Sequence, residues 1–226
     1  MTDDFMKKIT IFGNPFIGIY IRTTDKFTFI GKTLADNFER HLFELNTSIK
    51  RITLADSDLI GTYAIANNKG IIVSSMVTKE EIENLQTFVG SGVVVERLES
   101  KFTAVGNNIV TNDYGTIINP RLPPEDIKHI KDALDTEVEK VKHLDYLTVG
   151  ATIIATNKGF VAHPNINPDQ LQEISEILKV DGGVSTVNEG VPFVSLGAVA
   201  NSTSFIVGET TTGYEIHRIA ECLGQI

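Results

Sequence analysis

A short polar turn occurs five times in this sequence at a nearly constant interval. Its clearest copy is Asn112, Asp113, Tyr114 and Gly115, where Asn and Asp tolerate left-handed backbone geometry and Gly adopts it freely. Related copies occupy residues 24–27, 67–70, 156–159 and 201–204, so that successive turns lie 43 to 45 residues apart. A period of this length is typical of repeat architectures.

Each turn joins two predicted strands and is followed by a predicted helix. Around the third turn, residues 109–110 and 116–118 are the strands, since both runs are rich in Ile, Val and Thr. In the second unit, Ile82, Leu85 and Val89 are spaced as i, i+3 and i+7 on one helical face. Equivalent triplets recur in the other units: Phe38, Leu42 and Leu45 (a looser copy); Ile127, Ile130 and Leu134; Leu171, Ile174 and Leu178; Ile216, Ile219 and Leu223.

Local signals mark the starts of these helices. The spacing of a capping box, in which two side chains satisfy free backbone N–H groups, occurs twice: Thr78 with Glu81, and Thr212 with Glu215. Pro124 and Pro168 each open a helix, where a missing N–H does no harm, and Asn167 supplies a cap before Pro168.

A unit of two or three strands and one helix cannot bury its apolar face alone. Five units of about 45 residues account for nearly the whole chain, so we predict one α+β domain over residues 1–226. It should close as a five-fold pseudosymmetric ring with strands toward the axis and helices outside. We expect repeats at approximately 5–46, 47–90, 91–135, 136–180 and 181–226, with the first strand, around residues 8–11, meeting the last helix, 212–223.

Composition and charge narrow the functional class. No apolar run approaches the roughly 20 residues needed to cross a bilayer, and the acidic first residues do not resemble a secretion signal. A single cysteine, Cys222, permits no internal disulfide, which favours a reducing, cytoplasmic location. The net charge of −9 weighs against a protein that binds nucleic acid directly. Residues 114–226 contain 8 basic and 15 acidic side chains, which favours a basic protein partner.

Two kinds of ligand site are not supported by the residues. Residues 13–18 have the glycine spacing of a phosphate loop, but Ile19 and Tyr20 replace the required Lys and Ser/Thr. Residues 31–33 contain Lys and Thr, but Lys26 stands where the first Gly belongs. No two of the five histidines have the i, i+4 spacing of a zinc pair: His41, His129, His143, His163 and His217. We therefore expect no cofactor and no metal.

An enzyme remains the alternative hypothesis. Rings of five such units also occur in guanidine-modifying enzymes, the arginine deiminase and amidinotransferase group, which the predicted ring resembles in architecture. Those enzymes use a Cys nucleophile with a His and carboxylates at the axis. The one thiol here, Cys222, is predicted on the outer, last helix, without a nearby base. A binding protein is therefore favoured over an enzyme.

Four segments resemble the translation initiation factor six family, in order along the chain. Residues 13–24 (GNPFIGIYIRTT) resemble its first unit, residues 100–108 its third, and residues 183–190 and 211–219 its fifth. The likeness extends over essentially the whole chain, in register with the repeats, and is greatest to the short archaeal members. Two positions depart from the family pattern: Ser195 stands where a glycine is expected, and Cys222 has no expected counterpart.

The resemblance implies a fold and a role. The fold would be the pentein fold, or α/β propeller, in agreement with the predicted ring. Members of the family bind the large ribosomal subunit on its intersubunit face and sterically prevent joining of the small subunit, and in eukaryotes they take part in large-subunit maturation. Their contacts are mainly to basic ribosomal proteins beside the sarcin–ricin loop, with limited rRNA contact, which suits an acidic factor. We expect the same role here, for a monomer that binds no membrane.

The resemblance also suggests where the ribosome binds, near Gly18, Arg97 and Asn107. We expect the face that carries the first-unit turn, the second-unit loop and the third-unit turn, with these contact residues: Asn14, Pro15, Phe16, Gly18, Thr62, Arg97, Lys101, Asn107 and Asn108. Each has an ordinary structural alternative, such as a tight turn for Gly18, a turn cap for Asn107 or a solvated strand position for Arg97. We expect Asn107→Arg or Gly18→Arg to weaken subunit binding without unfolding the ring.

Overall fold

The computed structural model describes residues 7–141 and 146–226. Within these ranges the chain forms five three-stranded sheets, in agreement with the five predicted units. The strands are β1 (Lys7–Ile9), β2 (Arg22–Thr23), β3 (Phe27–Gly31), β4 (Ser48–Ile52), β5 (Ala64–Ala66), β6 (Gly70–Ser74), β7 (Val94–Leu98), β8 (Ile109–Thr111), β9 (Gly115–Ile118), β10 (Glu137–Glu139), β11 (Ile153–Ala155), β12 (Phe160–Ala162), β13 (Gly182–Val184), β14 (Ala198–Ala200) and β15 (Phe205–Gly208).

Long and short helices alternate between these strands. The α-helices are α1 (Ile60–Tyr63), α2 (Lys79–Val89), α3 (Val105–Asn108), α4 (Pro124–Leu134), α5 (Val149–Thr152), α6 (Pro168–Leu178), α7 (Val194–Gly197) and α8 (Gly213–Cys222), and the first unit has two 3₁₀ helices, Ile17–Ile19 and Phe38–Leu45. The longer helices coincide with the predicted ones. None of the helices formed by the described residues is long and apolar enough to cross a membrane.

The sheets interlock neighbouring repeats. In each sheet two strands form an antiparallel hairpin around the repeated turn and a third strand runs parallel to the second strand of the hairpin. In four of the sheets that third strand follows a helix. That third strand begins the next predicted repeat, as when β7 pairs with β6 through Val94 opposite Gly70. The ring closes when β1 pairs with β15, with Lys7 opposite Ile206. The first strand thus completes the last sheet through β15, the strand that precedes the last helix, instead of closing the ring on that helix as predicted.

Strands line the axis and the longer helices lie outside them, in agreement with the prediction. The first strands of the hairpins, β2, β5, β8, β11 and β14, are neighbours around the axis. Helix α4 packs on β6 and β7, and α8 packs on β12 and β13, so each long helix covers strands of neighbouring units. The predicted apolar positions Leu85, Ile130, Ile174 and Ile219 are buried on these helices.

The predicted helix caps are also present. Thr78 accepts a hydrogen bond from the backbone N–H of Glu81 at 3.2 Å, and the Glu81 carboxylate accepts from the backbone N–H of Thr78 at 2.9 Å. Thr212 and Glu215 form the same reciprocal pair, and Asn167 forms one with Gln170. Local sequence therefore determines where these helices begin.

Candidate functional site: the axial helix face

The two ends of the ring axis are built differently. At one end five one-turn helices, the 3₁₀ helix Ile17–Ile19 with α1, α3, α5 and α7, each lead into an inner strand and contact their neighbours in a closed circle. We call this end the axial helix face. At the other end the inner strands lead into the repeated turns, where five polar residues form what we call the axial turn ring: Asp25, Asn68, Asp113, Asn157 and Ser202.

Glycine allows the one-turn helices to meet at the axial helix face. A Cβ added at Gly61 would overlap the carbonyl oxygen of Gly18, and one at Gly106 would overlap that of Gly61. Likewise, a Cβ at Gly150 would overlap the carbonyl oxygen of Gly106. Ser195 is the fifth member of this circle, and its hydroxyl donates a hydrogen bond to the carbonyl oxygen of Gly150. The departure from glycine at this position is therefore accommodated by a specific contact.

The axial turn ring is a closed circuit of hydrogen bonds. The backbone N–H of each member donates to the side chain of the next, for example Asn68 to Asp113 at 2.8 Å and Ser202 to Asp25 at 2.7 Å. The Asn68 side-chain amide bridges Asp25 and Asp113 at 3.1 and 2.7 Å, and the Asn157 amide bridges the same carboxylates at 2.9 and 2.7 Å. Two amides thus separate two carboxylates at the axis.

The structure brings the sequence-predicted contact residues into one sector of the molecule. In the first unit, Asn14, Pro15 and Phe16 precede the one-turn helix and Gly18 lies within it. In the second unit, Thr62 lies in α1. In the third unit, Arg97 lies near the end of β7, Lys101 lies in the loop from β7 to α3, and Asn107 and Asn108 lie in α3. The one-turn helices of the first three units are consecutive in the circle. The ribosome-binding role of these residues stays a prediction.

Two of these residues, Asn108 and Gly18, are buried and contribute to the packing of the ring. The Asn108 side chain is buried, with its amide donating to the carbonyl of Ala104 at 2.8 Å and its Oδ1 accepting from Asn119 at 2.7 Å. Gly18 is also buried, and a Cβ there would overlap the carbonyl oxygen of Ser195. The expectation that Gly18→Arg leaves the ring intact therefore does not hold, because the backbone of the last unit at Ser195 would have to move.

Two others are free to make contacts. Thr62 and Asn107 directly follow the ring glycines, are half-buried, and make no side-chain hydrogen bond within the described residues. The equivalent positions in the other units carry Ile19, Ala151 and Leu196. The axial helix face therefore has adjacent polar positions on one side and apolar ones on the other. Sequence reasoning missed Ile19 and Leu196, although aligning the repeats on the ring glycines would have found them.

An exposed aromatic side chain extends this face in the first unit. Phe12 is 63% exposed at the tip of the tight turn between Ile11 and Asn14, and it contacts the ring of Tyr20 edge-on at 5.6 Å. Its backbone has a φ of +53°, a region that non-glycine residues rarely adopt. The turn therefore holds an apolar ring in solvent at some conformational cost, a feature that the search of the sequence did not identify.

The charges of the sector are nearly balanced. The Arg97 guanidinium pairs with the Glu99 carboxylate at 2.5 Å and also donates to the carbonyl of Val77 at 3.4 Å. Lys101 is exposed, its Nζ lies 5.6 Å from the centre of the Phe102 ring, and it forms no ion pair with any described residue. Lys101 is thus available to carbonyl groups on a partner surface.

Nucleophilic and metal chemistry receive no support from the described residues. Cys222 is buried in the core of the last unit, and this burial raises the pKa of its thiol despite the nearby Arg218. No three His, Cys, Asp or Glu side chains within residues 7–141 and 146–226 are arranged to hold a metal ion. His163 is buried against Tyr146 with ring centres 4.1 Å apart, whereas His143 lies outside the described residues.

Comparison with known proteins gives a consistent result along the whole chain. The profile of the eIF-6 family matches residues 6–222. Translation initiation factor 6 of Natronomonas pharaonis is 38% identical over 222 residues, which cover 98% of this chain and 100% of that protein. The factors of the same name from Haloquadratum walsbyi and Pyrococcus abyssi are 35% and 33% identical, each over 98% of this chain and 97% and 99% of their own lengths. The similarity therefore includes all five sheets.

Proposed function

Since this chain belongs to the eIF-6 family, we propose that it is a translation initiation factor that binds the large ribosomal subunit on its intersubunit face. Bound there, it sterically prevents the small subunit from joining. Similar proteins from three archaea carry the name translation initiation factor 6, which supports the role in initiation. The role belongs to the cytoplasm, where the subunits join, and a further contribution to large-subunit maturation is compatible with it.

The axial helix face carries the proposed binding site. Its circle of one-turn helices is packed too closely to adapt to a partner, so it presents side chains in fixed positions. Thr62, Asn107 and Lys101 are free to contact a partner, and Asn14, Pro15, Phe16 and Arg97 surround them. Gly18 and Asn108 support this surface from below. The single observation that favours this site is that Thr62 and Asn107, two polar side chains without a hydrogen bond to any described residue, lie in adjacent units.

Charge suits the proposed partner. The chain has a net charge of −9, so a basic ribosomal protein beside the sarcin–ricin loop would be attracted to it, and extensive contact with rRNA would be opposed. Attraction of this kind increases the association rate and weakens as salt is added. We propose that the factor binds as a monomer, since one ring already closes on itself without a partner chain.

The proposed role involves no catalysis. Steric occlusion requires a rigid body of suitable size and a binding surface, and it requires no reactive group. The thiol of Cys222 is buried and disfavoured as a thiolate, which argues against a guanidine-modifying enzyme of the same ring architecture. The relatives are also named as factors and not as enzymes.

Sedimentation through sucrose gradients tests the proposal. The purified protein is incubated with archaeal large subunits, and then small subunits are added. We expect the protein to sediment with the free large subunit and to reduce the fraction of joined ribosomes. Absence of the protein from the large-subunit fraction, at a concentration that saturates a related archaeal factor, would contradict the proposed function.

Two matched arginine variants test the binding face. Asn107→Arg adds a long cation at a half-buried position of the axial helix face, whereas Thr203→Arg adds one at an exposed position beside the axial turn ring. We expect Asn107→Arg to weaken co-sedimentation at least tenfold and Thr203→Arg to have little effect, with both proteins remaining folded. The reverse order would move the binding site to the opposite end of the ring.

A further inference from the structure

A half-buried arginine stands on the wall of the ring axis without an acidic partner. Arg22 lies on the inner strand β2, where its Nε donates to the carbonyl of Ala64 at 2.9 Å and its Nη2 to the carbonyl of Gly61 at 2.5 Å. Among the described residues, no carboxylate forms an ion pair with this guanidinium and no acceptor is bound to its Nη1. Partial removal of a cation from water has a free-energy cost that an anion or ordered water beside it would reduce.

The free side of this guanidinium faces a cavity along the axis. The cavity has a volume of about 50 Å³ and is lined by Arg22 and by mainly apolar residues of the inner strands. Roughly 10–15 Å³ of such volume holds one water, so the cavity has room for several waters or for a small ion with water. Its other polar side chains are Thr23, Thr111 and Ser195, and no acidic side chain lines it.

The nearest carboxylates on the axis lie at its other end. A second cavity of about 30 Å³ shares Thr23 and Thr111 with the first and extends to the axial turn ring. There the Oδ2 atoms of Asp25 and Asp113 already accept hydrogen bonds from the amides of Asn68 and Asn157. The two cavities together therefore have a cation, Arg22, near the axial helix face and carboxylates at the axial turn ring. This arrangement favours an anion only beside Arg22.

The guanidinium keeps its charge in this environment. Burial lowers the pKa of Arg22 to about 10, so the side chain remains protonated near neutral pH. Two of its N–H groups are bound to backbone carbonyls, which fixes the plane of the guanidinium, and the side chain lines the cavity. Carbonyl oxygens satisfy hydrogen bonds but do not neutralise a full charge.

We propose that the axial cavity binds one small monovalent inorganic anion, of the size of chloride, held by the guanidinium of Arg22. The volume excludes larger organic anions, and the carboxylates of Asp25 and Asp113 disfavour a second negative charge in the same channel. The site is internal to the ring and separate from the surface residues assigned to the ribosome. Its failure would leave the proposed function untouched.

A bromide soak of wild-type crystals is the direct test, because bromide replaces chloride and has a measurable anomalous signal. We expect a peak on the axis within about 3.5 Å of the Arg22 guanidinium. Crystals of Arg22→Gln should lack this peak and keep any bromide sites on the outer surface. Surface peaks alone in the wild-type protein, with water or nothing beside Arg22, would overturn the proposal.

Thermal unfolding gives an independent measurement in solution. Melting temperatures are compared in potassium bromide and potassium gluconate at equal ionic strength, since gluconate is too large for the cavity. At ten times the dissociation constant we expect bromide to raise Tm by roughly 3–5 °C. Arg121→Gln, at an exposed arginine, should keep the shift, and Arg22→Gln should lose it. An equal change of Tm in both variants would contradict an anion site at Arg22. If Arg22→Gln does not fold, the bromide peak in the wild-type crystal decides.

Discussion

The hydroxyl of Ser195 donates a hydrogen bond to the carbonyl oxygen of Gly150, and this contact fills the one position of the axial circle that is not glycine. At the other four positions the neighbouring carbonyl occupies the place where a Cβ would be. The circle is therefore not exactly symmetric, since one junction is made by a side chain and the others by backbone contact. The asymmetry allows the strength of the two kinds of junction to be compared within one molecule.

Alanine substitution should distinguish these junctions. Gly61→Ala and Gly106→Ala add a methyl group where a carbonyl oxygen already lies, so we expect each to lower the free energy of unfolding by about 1–3 kcal/mol or more. Ser195→Ala removes one hydrogen bond without adding volume and should cost about 1 kcal/mol. Urea denaturation followed by circular dichroism measures all three variants.

Gly213→Ala is the matched control for these glycines. A Cβ at Gly213 meets no atom within 4 Å, and the residue opens helix α8, where alanine is favoured. The control should be neutral or slightly stabilising. If Gly61→Ala were equally neutral, the close packing of the one-turn helices would not contribute to the rigidity that the proposed binding face requires.

A conservative substitution in the axial turn ring should lower the free energy of unfolding for an electrostatic reason. Asn157→Asp replaces an amide that lies 2.9 Å from Asp25 Oδ2 and 2.7 Å from Asp113 Oδ2 by a third carboxylate. We expect the free energy of unfolding at pH 7 to fall by about 3 kcal/mol, from the loss of two hydrogen bonds and the added repulsion. Asn84→Asp, on the exposed face of α2, should have almost no effect.

A double variant tests whether the side chains at positions 113 and 157 interact directly. Adding Asp113→Asn to Asn157→Asp exchanges the amide and the carboxylate across the axis and again leaves two carboxylates in the ring. We expect the pair to recover only about half of the lost stability, because the contact between residues 113 and 157 is relieved while residue 157 still places a carboxylate against Asp25. The coupling free energy in a double-mutant cycle should be about 1–2 kcal/mol. Additive losses in chemical denaturation would show that the two side chains act independently.

The longer elements of this fold could be predicted because their signals are local. The helix from Lys79 to Val89 combines an apolar period with a capping box, and the turn at Asn112 and Asp113 contains residues suited to its backbone geometry. The one-turn helices could not be predicted this way. A segment such as Ile60–Tyr63 is too short to show a helical period, contains glycine, and is stabilised by contact with neighbouring units.

Pairing between strands that are distant along the chain could not be predicted from local sequence either. Nothing local to β1 indicates that Lys7 will lie opposite Ile206, because ring closure is decided by the apolar residues of the first and last units packing together. The candidate site shows the same division. Repeat spacing and family resemblance predicted a set of contact residues, but the burial of Asn108 and the exposure of Phe12 depend on tertiary packing.

Cys222 should be unreactive in the native protein. Burial disfavours its thiolate and raises the pKa of the thiol, and the side chain packs in the core of the last unit. We expect the rate of modification by Ellman's reagent at pH 8 to be at least a hundredfold lower than for the protein unfolded in urea. Equal rates in the two states would revive the enzyme hypothesis, which requires an accessible nucleophile.

Glu215 should make stability depend on pH in the acid range. Burial alone would raise the pKa of Glu215, but hydrogen bonds from Thr212, Thr186 and Gly190 outweigh it and hold the pKa below the usual 4.5. The carboxylate therefore stabilises the fold fully above about pH 4.5, and this contribution is lost as the pH falls through the lowered value.

Glu215→Gln should cost about 2 kcal/mol at pH 7, and its deficit should shrink toward pH 3. Urea titrations at several pH values, with exposed Glu209→Gln as control, measure this; a deficit that stays constant with pH would contradict the assigned role of the charge.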